Sequence, residues 1–147
     1  MEISENIMSH EEFMGDLAKV IEGTEKYPSC QKLLASGIKL IGNDDLMHGL
    51  DDLRKALEML LKELLHNKLP IEKQSSKRVV KLIEGNGWGK AGQTLWPYMK
   101  GIFQKYQNVY VKHDDGTRIT EQGADFAVKQ ALLLMVHLVS KKEKNNI

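Results

Sequence analysis

One cysteine, Cys30, leaves no partner for an internal disulfide, which suits a reducing compartment. Charge of one sign is equally scarce. The net charge is +1, so no strong overall field draws the chain to nucleic acid or membrane, and any such contact must come from a local patch. Arginine occurs only at Arg54, Arg78 and Arg118. No apolar run approaches the roughly 20 residues needed to span a bilayer. The start, "MEISENIMSHEEF", has neither the basic opening nor the apolar core of a signal peptide. No Gly-x-Ser-x-Gly nucleophile turn is present. None of the five histidines, at 10, 48, 66, 113 and 137, stands at metal-ligand spacing from another His, Cys or carboxylate, so no metal and no cofactor is expected. These absences predict a cytoplasmic, soluble protein without a membrane segment.

What remains is an ordinary globular composition, 41% hydrophobic and 28% charged, in a length that fits one domain. Residues 1–147 are expected to form a single helical domain with its core over 9–140 and a frayed tail, "KKEKNNI", from 141. Ser9 and Glu12 make a capping box, and Phe13, Leu17, Val20 and Ile21 then recur at helical spacing up to Gly23. Pro28 suits the first turn of a second helix that carries Leu33, Leu34, Ile38 and Ile41 and stops at Gly42. Asn43 reads as the cap of a third, with Asp44 and Asp45 favourably placed against its dipole.

That third helix, "DDLMHGLDDLRKALEMLLKELLHN", is the clearest element, about 36 Å of helix at 1.5 Å per residue. Leu46, Leu50, Leu53, Leu57, Leu60, Leu61 and Leu64 hold one face, and Asp51 with Lys55 and Glu58 with Lys62 are i,i+4 pairs on the other. Pro70 opens a segment with Ile71, Val79, Leu82 and Ile83, broken near Ser75–Ser76. "GNGWGKAG" is a loop by composition, and Pro97 marks a kink or a new first turn. Met99, Ile102, Phe103 and Tyr106 continue the helical spacing, and Thr120 caps a last helix with Ala124, Ala127, Val128, Ala131, Met135 and Leu138. The fold class is all-α, a compact bundle of five to six helices. Residues 108–120 also admit a second reading as a short β-hairpin, with β-branched and aromatic residues flanking an Asp-Gly turn.

Few places offer chemistry. Gly85–Ala91 resembles a phosphate-binding loop only loosely: it is one residue short, has Ala91 where Ser or Thr should bind magnesium, and follows no strand, so it reads as a flexible connection. His48 among Asp44, Asp51 and Asp52 reads as a solvated face, and His137 as a packed core residue. Cys30 has no basic neighbour beyond Lys32 to activate it. The basic run "SSKR" at 75–78, with Lys81, could touch phosphate or could be simple surface solvation. "KYQNVYVKHDDG", residues 105–116, stands apart, because Gln107, Asn108 and His113 are polar groups that a helix end does not need in order to fold. An imidazole can move the proton that RNA cleavage requires, and polar donors beside it can hold a phosphate as charge builds. On an ideal helix Gln107 and His113 are about 120° apart, so they converge only where the helix ends or where a second subunit completes the site.

The long "GLDDLRKALEMLLKELL" helix, then "YQNVYVKH", then the terminal apolar helix resemble a HEPN domain of the abortive-infection type over roughly residues 30–140. The resemblance implies a helical bundle that dimerises along the helices carrying an Arg-x4-6-His motif. It implies either a metal-independent ribonuclease of phage defence or toxin–antitoxin systems, or a scaffold that has lost activity. His113 matches the motif histidine, the proton-transfer group, and Asn108 the polar residue that often follows the arginine. Gln107 stands where the arginine belongs and brings neither positive charge nor a two-pronged grip on phosphate. Lys105, Lys112 and Arg118 are the cations that could bind phosphate in its place. Two functions are therefore expected in outline: an RNA-cleaving homodimer, or a non-catalytic interaction module that binds a protein partner or regulates a nuclease. Two His113 side chains across a lysine-lined cleft would favour the first, and an exposed apolar groove elsewhere the second.

Overall fold

The structure, a computed structural model, describes residues 10–106 and 120–141. They form six α-helices: α1 (His10–Gly23), α2 (Pro28–Gly42), α3 (Leu46–Leu65), α4 (Ser76–Ile83), α5 (Ala91–Tyr106) and α6 (Glu121–Val139). A 3₁₀ turn, Ile71–Lys73, precedes α4, and a wide π turn, Glu84–Trp88, follows it. No strand occurs among the described residues, so the all-α class holds. The alternative hairpin at 108–120 lies outside them except for Thr120, and so does Ser9 of the capping box.

Helix α3 carries most of the leucine face its sequence announces, with Leu46 and Leu64 only half-buried and Leu65 buried in addition. Leu50, Leu53, Leu57, Leu60, Leu61 and Leu65 are buried with Ala56, each full leucine burial contributing about 1.5–3 kcal/mol. Both i,i+4 pairs form, Lys55 to Asp51 at 3.1 Å and Lys62 to Glu58 at 3.3 Å. The start of the helix departs from expectation. Asp45, not Asn43, is the α3 N-cap, and it makes no side-chain cap bond. Asn43 instead closes α2, its N–H donating to the Lys39 and Leu40 carbonyls at 3.1 Å. Asp44 then turns the chain with φ of 64°, a left-handed conformation that a short polar side chain tolerates.

The short connection 43–45 lays α2 along α3, and two glycines set how close they come. A Cβ on Gly37 would lie 2.9 Å from the Gly49 carbonyl oxygen, and a Cβ on Gly49 would lie as close to the Gly37 carbonyl. Helix α1 lies against α6, with Gly23 seated on Val139. Ser75 caps α4 by accepting the Arg78 N–H at 3.3 Å, which explains the break expected at Ser75–Ser76. Pro97 lies within α5, one turn or more from its start, between buried Trp96 and Met99. It starts no new helix; lacking an N–H, it simply omits one backbone bond.

Helix α6 is the most enclosed element. From Ala124 to Leu138 almost every side chain is buried, so no polar face remains for solvent. Thr120 caps it as expected, its hydroxyl accepting from Gly123 at 3.0 Å. No helix among the described residues is long and apolar enough to cross a membrane.

Candidate functional site

Gln107, Asn108, Lys112, His113 and Arg118 all lie outside the described residues, and of Lys105 only its place in the last turns of α5 is described. What the structure establishes is the pair of anchors between which they run. On one side α5 is held by buried Trp96, Met99 and Phe103, and on the other Thr120 starts the buried α6.

One turn into α6 lies a charged pair that sequence reading passed over. Lys129 is fully buried, with its Nζ 3.4 Å from Asp125 Oδ2. Taking two charges out of water costs several kcal/mol per ion, and their mutual attraction offsets that only with good geometry. The only sequence signal was an acid and a base four apart, which elsewhere marks a surface pair.

The other candidates resolve into structural roles. Arg78 Nη2 donates to the Leu65 carbonyl at 2.8 Å, closing the C-terminus of α3, and Ser76 Oγ accepts from the Trp96 indole at 3.2 Å. In the basic run Lys77, Arg78 and Lys81 are exposed, and Arg78 has one N–H donor engaged on the Leu65 carbonyl. His48 Nδ1 is 2.9 Å from Asp45 on an exposed surface, whereas Asp51 pairs with Arg54 and Lys55 and Asp52 accepts from Ser36 at 2.6 Å. No group of three or more metal-ligating side chains occurs among the described residues. Burial pushes the Cys30 thiol up to about 12, and its Sγ donates to the Ala56 carbonyl, so it is not an activated nucleophile.

The glycine-rich loop is docked rather than loose. Asn86 Nδ2 donates to the His137 and Leu138 carbonyls at 2.9 and 3.0 Å, and the Trp88 indole donates to the Ser140 carbonyl at 2.8 Å. These bonds satisfy the carbonyls that a helix end leaves open. The Trp88 ring also lies 4.3 Å from the His137 ring, whose Nδ1 donates to Leu133 at 2.7 Å. His137 is thus the packed, hydrogen-bonded residue expected of it.

The described residues also form concavities, of which two bear on binding. A groove of about 430 Å³ runs between α1 and α2, walled by Leu17, Ile21, Leu34, Ala35 and Ile38 with Gln31 and Lys39 at its edge. Ile21, 47% exposed, and the equally exposed Met14 extend its apolar wall along α1. A separate cleft of about 490 Å³ opens where the end of α1 meets α3, α4, the π turn and the end of α6. No protein-family model matches this chain, and neither does any curated protein or solved structure.

Proposed function

We propose that the protein is a HEPN-like helical protein of the phage-defence or toxin–antitoxin type, working in the cytoplasm as an interaction module that binds a protein partner. The observation that supports binding is the apolar groove between α1 and α2, on helices other than the two that flank residues 107–119. Its paired walls suit the apolar stripe of an amphipathic helix, and Lys39 at the rim complements an acidic flank on that helix. Gln107 at the motif's arginine position also supports this reading, since one neutral donor replaces a charged two-pronged one.

A second reading keeps catalysis. In it His113 transfers the proton in metal-independent RNA cleavage, Asn108 and Gln107 orient the phosphate, and Lys105, Lys112 and Arg118 supply charge. The motif spacing supports it, with five residues between Gln107 and His113. A homodimer, which the family resemblance implies, would complete the site; the sedimentation mass of the full chain tests that point.

Two assays separate the readings. A labelled amphipathic peptide with an acidic flank should bind the wild type and His113→Ala equally, and Ile38→Glu at least tenfold more weakly. RNA incubated with the protein in chelator should stay intact. Chelator-resistant cleavage that His113→Ala abolishes would establish the second reading, and a peptide that binds Ile38→Glu as well as wild type would sink the first.

A further inference from the structure

The cleft of about 490 Å³ shares none of its lining residues with the groove between α1 and α2. Its size falls within the range of small-molecule sites. Leu64, Leu82 and Leu138 give it an apolar floor. Its rim carries Lys19 and Lys26 against the single carboxylate of Glu22, with the Tyr27 phenol beside them. None of these four side chains makes a hydrogen bond or ion pair with another described residue, whereas Arg54, Lys55, Lys62 and Lys129 are each paired. Neither ammonium is held in a close ion pair over these three leucines, although Lys19 also acts on the Asp16 carboxyl one turn away on α1.

The local dipoles point the same way. Tyr27 is the N-cap of α2 and makes no side-chain cap bond, so the positive end of that helix lies at the rim. The end of α6 also lines the cleft and would bring negative carbonyls, but Asn86 and Trp88 donate to three of them. Asn86 spends its N–H donors on this clamp while lining the cleft, which leaves its Oδ1 to accept from a ligand hydroxyl or amine.

We infer that this cleft is a binding site for a small amphipathic anion, its apolar body on Leu64, Leu82 and Leu138 and its single acidic group between Lys19 and Lys26. The site needs neither RNA cleavage nor a partner in the groove.

The test uses the full chain and 8-anilinonaphthalene-1-sulfonate, which joins an aromatic body to one sulfonate. Its fluorescence should rise to saturation at one site, and its binding should shift the side-chain amide resonances of Asn86 and the indole N–H of Trp88. Replacing both exposed lysines (Lys19→Gln with Lys26→Gln) should weaken it by about tenfold, as two partly exposed charge contacts allow. The uncharged analogue N-phenyl-1-naphthylamine should bind both proteins alike. Ile38→Glu, in the other groove, should change nothing, and circular dichroism should show all variants equally helical. No binding by wild type, equal sulfonate affinity in the lysine variant, or loss of binding in Ile38→Glu would each overturn the assignment.

Discussion

Asp51 with Lys55 on α3 and Asp125 with Lys129 on α6 are the same pair at the same spacing, with closest contacts of 3.1 and 3.4 Å. Their surroundings differ completely. The Lys55 side chain is 49% exposed, and Lys129 is 0% exposed. Water solvates the α3 ammonium whether or not its partner is present, so that contact adds little. In α6 the enclosed ammonium has no bulk water to turn to, so each charge depends on the groups the protein places around it. The two helices thus show that an acid and a base four residues apart specify a contact but not its worth. Burial around the helix sets that.

The largest expected effect comes from removing one member of the enclosed pair. Lys129→Ala should cost about 3–5 kcal/mol in urea denaturation, because it takes the opposite charge away from a buried carboxylate. Asp125→Leu combined with Lys129→Met should recover most of that loss, and failure to recover would show that the charges matter beyond their own balance. A smaller loss, about 1–2 kcal/mol, should follow Asn86→Ala, which uncovers two carbonyls at the end of α6. Lys55→Ala on α3 should cost about 0.5 kcal/mol or less, and that cost should vanish at high salt. An equal loss for Lys55→Ala and Lys129→Ala would break the contrast.

The smallest effect is one of pH, on the face of α1 that meets α6. Asp16 has its carboxyl raised above 3.8, chiefly by burial; Glu12 adds to the rise, while Lys19 and His137 oppose it. The folded protein therefore holds this proton more tightly than the unfolded chain does. The stability so gained is full below 3.8 and is lost as pH rises through the raised value. Asp16→Asn should accordingly be the more stable protein near neutrality, and its advantage should fade as pH drops to 3.8. Melting curves across that window test the sign.

Much of the fold was legible in the sequence because it rests on local pattern. The leucine stripe of α3, Pro28 opening α2, Gly23 and Gly42 closing α1 and α2, and Thr120 capping α6 are all short-range signals. Asn43 was misassigned because an Asn-Asp-Asp run can end one helix as readily as it starts the next, and the choice rests on which carbonyls lie in reach. The clamp on α6 had no such signal. Asn86 and Trp88 meet their acceptors 51 and 52 residues away, and glycines around them read as slack. The cleft was equally hidden, since it is assembled from positions 19 to 140. Residues 107–119 lie outside the described residues, and interest in Gln107, Asn108 and His113 rests on their chemistry and on a resemblance alone.

The stretch from Ser75 to Trp88 reaches the ends of both long helices, with Arg78 on α3 and Asn86 and Trp88 on α6. Helix ends normally unravel independently of each other. Here one short segment guards two of them, so the last amides of α3 and α6 gain protection from hydrogen exchange through the same closure. A fluctuation that lifts this segment releases both ends at once, which makes them a single opening unit. Heat, denaturant or a ligand in the adjoining cleft would then act on the two longest helices through one latch.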